Sequence, residues 1–321
     1  MARIISLGSA LQDLYLIDHD DLVTTEIGNI GIFGKLTLGS KIDVDRISYH
    51  VGGGGVNSAI TFARHGHETY LFTNIGHDPG GAAVIQTLAR EEIHTNNVHF
   101  LENQTTGTSV ILLDPSSGER TILTSRGASE KFDNLDEKKL KRLKPDYLYA
   151  TTLRGDMDTL ERFFREAKNL GATIMFNPGM PELNHPRKLL KLLEYTDILS
   201  VNREEAMKIV DSISLAEMAT RLSLMTGTVI ITDGAAGGIA ATDKELYEFG
   251  IYDDVKTTDM TGAGDAFGAG FLAATADGKS FTEALTFASA NATAVVGKIG
   301  ANTATLRRRT RLHDLPMTVI K

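Results

Sequence analysis

The segment from Lys256 to Ala273 reads KTTDMTGAGDAFGAGFLA, and it predicts a helix that begins on bare backbone. Gly262, Ala263 and Gly264 directly precede an apolar run, so the first N–H groups of the helix are exposed at the positive end of its dipole. Such a helix start binds anions. Asp265 lies in the same first turn, which places a carboxylate beside the bound anion. Phosphoryl transfer to a hydroxyl needs both groups, because it develops negative charge and removes one proton.

A second glycine-rich helix start lies near the N-terminus. Residues 52–55 are all glycine, and an apolar helical run that contains Asn57 follows them. Consecutive glycines let a ligand approach the backbone closely, and the Asn side chain offers both a donor and an acceptor. Close packing of a helix on a sheet accounts for one or two of these glycines, but not for four. The segment is therefore a second candidate binding site.

The two segments together resemble a known family. D-M-T-G-A-G-D, from Asp259 to Asp265, resembles the C-terminal signature of the ribokinase-like, or PfkB, family of carbohydrate and nucleoside kinases, with Met260 in place of the usual Thr. GGGGVN, from Gly52 to Asn57, resembles the N-terminal signature. The order of the motifs also fits, and the resemblance extends over essentially the whole chain. It implies an ATP-dependent kinase that phosphorylates a hydroxymethyl group of a small sugar, with a nucleoside as the alternative acceptor.

The resemblance implies that Asp265 accepts the proton of the acceptor hydroxyl, while the amides of residues 262–264 stabilise charge on the transferred group. It further implies that four residues bind the acceptor: Asp13, Gly52, Gly53 and Asn57. Asp13 follows the apolar run 3–8, and we expect it in the loop after this first strand, where a carboxylate can accept two hydrogen bonds from hydroxyls. A turn or a helix cap is the other interpretation of this Asp.

The charge of the acceptor is predicted from one departure from the family pattern. Family members that take phosphorylated hexoses often carry Lys between the glycines, whereas this chain has Gly54. The departure favours a neutral pentose or hexose over a sugar phosphate. Arg126, in the segment SRGAS, is interpreted as a solvated loop residue, with contact to the substrate or a phosphate as the alternative.

The resemblance also implies a nucleotide side of the site. The residues expected along ATP are Asn202, Thr232, Gly234, Gly237 and Asn291. Glu205 would hold Mg²⁺ through water, since this ion prefers oxygen ligands and keeps a water shell. The spacing of Asn202 and Glu205 equally forms a capping box, which needs no metal. Asp259 and the backbone near Gly300 resemble the family's monovalent-cation loop, so potassium is a further expected cofactor.

The pattern of apolar runs predicts the fold class. From residue 147 onward, short apolar runs such as TVIIT (228–232) alternate with helical patterns, which predicts a doubly wound, mainly parallel sheet flanked by helices. Segment 22–51 alternates apolar and polar residues, and residues 106–113 and 120–124 are typical of a hairpin turned by DPSSG. The strands of a small β-sheet lid are therefore predicted mainly within 22–51 and 106–124. We therefore expect an α/β fold in which residues 1–321 form a single ribokinase-like domain. The lid offers an apolar face through which the protein could form a homodimer.

Composition excludes several function classes. The net charge of −8 argues against a nucleic-acid surface, and the basic cluster at residues 307–311 is interpreted as a solvated chain end. Without cysteine, there is no disulfide, thiolate metal site or cysteine nucleophile. No apolar run has the length of a membrane span, and the first residues lack the pattern of a secretory signal. We expect a cytoplasmic protein that binds small molecules and not a membrane.

Two other functions were weighed against a kinase. A Rossmann oxidoreductase should carry G-x-G-x-x-G directly after the first strand, and Gly8 has no such companions. A non-catalytic sugar-binding protein on the same scaffold would have no need of Asp265 beside an intact anion loop. The sequence therefore favours the kinase.

Overall fold

The computed structural model describes residues 1–17, 24–28, 31–35, 38–41, 43–44, 46–113 and 120–320. The strands are β1 (Arg3–Leu7), β2 (Leu11–Ile17), β3 (Thr24–Gly28), β4 (Gly31–Lys35), β5 (Arg46–Gly52), β6 (Glu68–Gly76), β7 (Val98–Leu101), β8 (Gly107–Leu113), β9 (Arg120–Ser125), β10 (Tyr147–Ala150), β11 (Thr173–Phe176), β12 (Ile198–Asn202), β13 (Thr228–Thr232), β14 (Gly238–Ala241), β15 (Leu246–Phe249) and β16 (Met317–Val319). The α-helices are α1 (Gly54–Arg64), α2 (Pro79–Arg90), α3 (Leu140–Leu143), α4 (Met157–Asn169), α5 (Met180–Leu183), α6 (Pro186–Leu193), α7 (Arg203–Ile209), α8 (Leu215–Thr226), α9 (Ala263–Ala276) and α10 (Phe281–Val296).

A ten-stranded sheet forms the centre of the fold, in the order β16-β15-β14-β13-β12-β11-β10-β1-β6-β7. The seven strands from β13 to β7 in this order are parallel to their neighbours, and β14, β15 and β16 extend the sheet as antiparallel strands. The predicted α/β fold with a mainly parallel sheet is confirmed. The sequence patterns had not indicated the three antiparallel strands at this edge, which are only three or four residues long.

Both faces of this sheet are covered by helices, which is why its strands read as continuous apolar runs. Successive strand residues point to opposite faces. Leu148 of β10 packs in a core with Phe163 of α4, whereas Tyr149 packs on the other face with Phe271 of α9. The parallel strands therefore end at one edge, with a helix layer on each side, and helices α1 and α9 both begin near that edge.

The lid is a second sheet of four strands in the order β5-β2-β8-β9. Strand β2 is antiparallel to β5 and parallel to β8. The prediction that Asp13 lies in a loop is wrong, because this residue lies within β2. The alternation in LQDLYLI forms a half-buried strand only three residues after β1 ends. Predicted lid positions 22, 36 and 42 and the turn at 114–118 lie outside the described residues, and β3 and β4 form a separate two-stranded sheet.

Among the helices in the described part of the chain, none has the length and apolar character that crossing a bilayer would require.

Candidate active site

A cavity of about 340 Å³ lies between the lid and the starts of helices α1 and α9. Its wall contains lid residues, residues near the two helix starts and one residue of a later loop: Leu11, Asp13, Ser109, Ile111, Ile122, Thr124, Arg126, Gly53, Asn57, Thr261, Gly262, Asp265 and Ala301. Five of the residues that the sequence analysis assigned to catalysis or acceptor binding are thus brought together, namely Asp13, Gly53, Asn57, Gly262 and Asp265.

The start of α9 has exposed amides next to a carboxylate. Gly262 adopts φ +79°, and a Cβ at this position would lie 2.5 Å from the Cβ of Ala301, so only glycine fits. The N–H groups of Gly264 and Asp265 meet no acceptor among the described residues, while that of Ala263 makes a long bond of 3.4 Å to the Met260 carbonyl. The predicted anion-binding helix start is therefore open to a ligand.

The Asp265 carboxylate is half-buried and is oriented by Asn57. The Asn57 Nδ2 donates to Asp265 Oδ2 at 2.8 Å. Burial raises the pKa of Asp265, and the hydrogen bond from Asn57 partly opposes this shift. A carboxylate with a raised pKa is a better proton acceptor, which suits a general base.

Asn57 is itself fixed by a residue that sequence reasoning missed. The Nδ2 of Asn302 donates to Asn57 Oδ1 at 2.8 Å and to the carbonyl of Val51 at 2.7 Å. Because its oxygen is engaged in this way, the amide of Asn57 presents its nitrogen to Asp265. No local motif marks Asn302, since its role depends on a contact across the fold.

The four glycines before Asn57 have different environments. Gly53 adopts φ +92°, and a Cβ there would lie 2.6 Å from the Ser9 carbonyl oxygen. A Cβ on Gly52 would lie 2.1 Å from Asp13 Oδ2, so Gly52 makes room for that carboxylate and does not itself line the cavity. Gly52 thus supports Asp13, and its direct contact with the acceptor stays a prediction. Gly54 and Gly55 pack closely against Thr151 and Gly8.

Asp13 is a buried carboxylate in the wall of the cavity. It is 5% exposed, and in the lid sheet it lies opposite His50 on one side and Ser109 on the other. Burial raises its pKa to about 6, and a hydrogen bond with Ser109 opposes the shift. The charged form is costly here, so the carboxylate is available to accept hydrogen bonds from a ligand.

Asp259 is completely buried behind the cavity. Its Oδ2 accepts hydrogen bonds from the Tyr15 hydroxyl at 2.7 Å and from the Gly300 amide at 3.2 Å, and its Oδ1 accepts one from the Thr261 amide at 2.9 Å. The Arg120 Nε lies 3.9 Å from Oδ1. Burial and the charge of Asp259 raise the pKa of the Tyr15 hydroxyl well above its usual range, so it remains a donor.

On the nucleotide side, Asn202 and Glu205 form the capping box that was the alternative interpretation. The Asn202 side chain accepts from the Glu205 amide, and Glu205 Oε2 accepts from the Asn202 amide, both at 2.9 Å. Burial raises the pKa of Glu205, and the charge of Asp265 contributes to the shift. This carboxylate near Asp265 fits Mg²⁺, a hard cation that takes oxygen ligands.

The remaining residues predicted along the nucleotide divide into two groups. Thr232 ends β13, and Gly234 and Gly237 lie in the turn to β14, where the Gly237 amide donates to the Gly234 carbonyl at 3.2 Å. Asn291 is fully buried, donates to the Ala266 carbonyl at 2.7 Å and accepts from the Leu306 amide at 2.8 Å. The prediction that Asn291 lines a nucleotide pocket is not supported by this geometry, because its amide is used to join α9 and α10 to the C-terminal segment.

The lid contributes wall residues that the sequence analysis did not select, namely Ser109, Thr124 and Arg126. The interpretation of Arg126 as a solvated loop residue is wrong, since this half-buried side chain lines the cavity. The alternating pattern of β8 and β9 predicts strands, but it does not show which of their faces meets a ligand.

The chain is similar to known proteins in sequence and in fold. A model of the pfkB family carbohydrate kinases matches residues 1–308. The ribokinase of Haemophilus influenzae is 29% identical over 278 residues, which cover 82% of this chain and 87% of the relative. The structure of Arabidopsis thaliana ribokinase complexed with ribose and ATP has a TM-score of 0.78 at 22% identity and covers 96% of each chain. A Burkholderia thailandensis nucleoside kinase in complex with inosine has a TM-score of 0.75 at 20% identity, covering 96% of this chain and 95% of the other. Likeness at these identities concerns the fold.

Proposed function

The chain belongs to the pfkB family of carbohydrate kinases, and we propose that it transfers the γ-phosphoryl group of ATP to a hydroxymethyl group of a small sugar. The observation that carries the proposal is the single cavity in which the Asp265 carboxylate, the open amides of α9 and the Asp13 carboxylate meet. Its volume of about 340 Å³ is at the lower end of ligand sites, which suits a monosaccharide.

In the proposed reaction, the hydroxyl oxygen of the acceptor attacks the γ-phosphorus as the bond to the bridging oxygen of ADP breaks. Asp265 accepts the hydroxyl proton, held in position by Asn57. The amides of residues 262–264 stabilise the charge on the transferred group, and Asp13 binds hydroxyls of the acceptor. Magnesium would neutralise charge on the phosphates when it is bound near Glu205. Since the transition state is loose, positioning and electrostatics supply most of the catalysis.

The direct test measures ADP formation with a panel of sugars and nucleosides. A kinase forms ADP only when an acceptor is present, and it phosphorylates one acceptor molecule for each ADP that it forms. If the protein only binds sugars, a sugar will raise its melting temperature, but no ADP will form. An oxidoreductase would instead change the absorbance of a nicotinamide cofactor.

A nucleoside is the second candidate acceptor, because the nucleoside kinase that binds inosine has a similar fold over 96% of this chain. A thermal-shift screen with an ATP analogue and Mg²⁺ separates the two classes. A larger shift with ribose or fructose than with adenosine or inosine supports the sugar, and the reverse order supports the nucleoside.

Replacing Glu205 by Gln will raise the Mg²⁺ concentration needed for half-maximal rate by about tenfold or more, because the loss of a carboxylate weakens binding of a hard cation. Gln still accepts a hydrogen bond from the Asn202 amide, so the capping box and the melting temperature should be retained. Initial rates across a magnesium titration check this expectation. An unchanged magnesium dependence would restrict Glu205 to helix capping.

We also propose that a monovalent cation such as potassium binds near Asp259 and Gly300. The support is the buried charge of Asp259 beside the α9 start, whereas Arg120 already brings a positive charge to 3.9 Å. Activation should therefore be limited to a few-fold. Rates in potassium chloride and in tetramethylammonium chloride at equal ionic strength measure it, and equal rates would remove the cation from the proposal.

The exposed face of the lid indicates how the protein assembles. Ile47 and Tyr49 of β5 and Leu123 of β9 are exposed apolar side chains on this sheet, which supports a homodimer through the lid. Solution scattering that gives the mass of one chain would contradict the dimer.

We propose that residues 1–321 form one domain, because lid residues and the starts of α1 and α9 share one cavity. A single unfolding transition in calorimetry is expected.

We propose a cytoplasmic location, since the proposed reaction consumes ATP and Mg²⁺ and neither partner is a membrane or a nucleic acid. Cell fractionation with an antibody against the protein tests the location.

A further inference from the structure

Arg126 is an arginine of the cavity wall that the proposed reaction does not use. It is half-buried, and no carboxylate of the described residues forms an ion pair with its guanidinium, although Arg3, Arg64 and Arg203 each have such a partner at 2.7–2.9 Å. The charges of Glu130 and Asp13 partly offset the burial of this guanidinium, but a buried guanidinium without a hydrogen-bonded anion is unfavourable in a folded protein. The arrangement therefore has a place for an anion from outside the chain.

The backbone that carries Arg126 is held rigidly. The next residues form a 3₁₀ turn, Gly127–Glu130, in which the Ala128 amide donates to the Thr105 carbonyl at 2.7 Å. The Ser129 hydroxyl donates to the Ala10 carbonyl at 3.0 Å, and both Ala128 and Ser129 are completely buried. The guanidinium is thus presented from a fixed support, which reduces the entropy lost on binding a ligand.

A second arginine, Arg154, lies next to this turn. Its Nε is 3.6 Å from Glu130 Oε2, and it adopts φ +59°, which is uncommon for a residue with a side chain. The buried carboxylate of Glu182 holds this conformation, because it accepts hydrogen bonds from the amides of Leu153 and Gly155 on either side, at 3.0 and 2.7 Å. The positive charge of Arg154, after burial, lowers the pKa of Arg126. Arg154 therefore lies close enough to Arg126 to add positive charge there.

We propose that the acceptor is an anionic monosaccharide, whose phosphate ester or carboxylate binds Arg126, with Arg154 adding positive charge, while its hydroxymethyl group meets Asp265. This inference rests on the proposed kinase function and names the substrate class for the same site. A planar guanidinium binds either oxyanion through two parallel hydrogen bonds. The carboxylate of Asp265 repels an anion, so the charged group of the acceptor is favoured at Arg126, and this position fixes the orientation of the sugar. The neutral acceptor expected from Gly54 is thereby revised.

The experiment compares neutral and anionic acceptors that share a free hydroxymethyl group. Ribose is paired with ribose 1-phosphate, and fructose with fructose 6-phosphate, while 2-keto-3-deoxygluconate supplies a carboxylate in place of a phosphate. We expect the wild-type protein to have at least a tenfold higher kcat/KM for one of the anionic sugars than for any neutral one. The kcat/KM values for the sugar phosphates and for 2-keto-3-deoxygluconate show whether the site prefers a phosphate or a carboxylate.

Arg126→Gln should lower the ratio of kcat/KM for the anionic sugar to that for its neutral partner by about ten- to hundredfold, mainly through KM, because a charged hydrogen-bonding partner is lost. Arg126→Lys should give an intermediate ratio, since it keeps the charge but not the planar fork. Arg165→Gln is the matched control, because it removes the same charge from an exposed position on α4 and should leave the ratio as in the wild type.

Two results separate this inference from the proposed function. If a neutral sugar is phosphorylated as efficiently as the anionic ones and Arg126→Gln leaves the ratio unchanged, the anionic acceptor is wrong and the kinase stands. If no acceptor yields ADP, binding is measured without turnover, by the thermal shift that each anionic sugar produces in the presence of an ATP analogue and Mg²⁺. A shift in the wild type that is lost in Arg126→Gln supports the anion subsite even if the kinase fails, and equal shifts overturn it.

Discussion

Asp265→Asn will lower kcat by roughly 10³- to 10⁴-fold, at the upper end of the contribution of a general base, and will leave the KM for ATP within a few-fold of the wild-type value. An amide keeps the shape of the carboxylate and can still accept the hydrogen bond from Asn57, but it cannot take the proton of the acceptor hydroxyl. The residual rate reflects the open amides of α9 and the binding of both substrates. Steady-state kinetics with the best acceptor of the panel measure the loss.

The same substitution separates a catalytic role from a structural one. Burial raises the pKa of Asp265, so the folded protein disfavours its charged form, and removing the charge should leave the melting temperature equal or higher at neutral pH. Asp158→Asn is the control, since this carboxylate is exposed on α4 and pairs with Lys188 at the surface. Turnover of Asp265→Asn within tenfold of the wild type would exclude Asp265 as the base.

Asp13→Asn will raise the KM for the acceptor sugar by about ten- to hundredfold. Each hydrogen bond from a sugar hydroxyl to a charged carboxylate is worth about 1.5–3 kcal/mol, and the amide nitrogen of Asn cannot accept one of the two.

The pKa of Asp13 is about 6. In the wild type, kcat/KM for the acceptor should therefore fall as the pH decreases below about 6, since protonation removes the charge that binds the hydroxyls. The limiting slope approaches tenfold per pH unit.

The pH dependence provides the internal control. Asp13→Asn carries no titrating group at this position, so its acceptor KM should vary little between pH 7.5 and 5.5. Because the folded-state pKa of Asp13 is raised, the folded protein binds more protons than the unfolded chain between pH 4 and 6, and this carboxylate lowers stability as the pH rises through that window. The variant should accordingly not melt below the wild type at pH 7.5. A parallel fall of kcat/KM in both proteins would assign the titration to another group.

Much of the fold could be predicted from patterns of residues that are neighbours in the sequence. The alternation of apolar runs and helical segments after residue 147 predicted the parallel sheet, and TVIIT was placed at the correct residues as β13. Strand β2 was missed because it follows β1 after only three residues, and β14 to β16 are too short for a periodic signal. Helix α2 begins at Pro79, since Asp78 caps it by accepting a hydrogen bond from the Gly81 amide.

The candidate site was predicted where its chemistry depends on neighbours in the chain. The open amides and Asp265 belong to one helix start, so glycine spacing alone indicates them. For Asn291 the sequence is ambiguous, because a polar residue on a helix has no mark that distinguishes a buried packing contact from a ligand contact. Asn202 and Glu205 show the same limit, since one spacing serves both a capping box and a metal.

By itself, the sequence determined the class of fold, the two glycine-rich helix starts and the carboxylate that lies beside the second of them. Only the tertiary structure decided which side chains meet: Asn57 donates to Asp265 across 208 residues of chain, Asn302 orients Asn57 across 245, and Arg126 reaches the same cavity from the end of a lid strand. The physical reason is that a helix start follows from the conformational preferences of adjacent residues. The contacts between distant segments depend on how the lid and the helices pack on the sheet, and no local pattern records that packing.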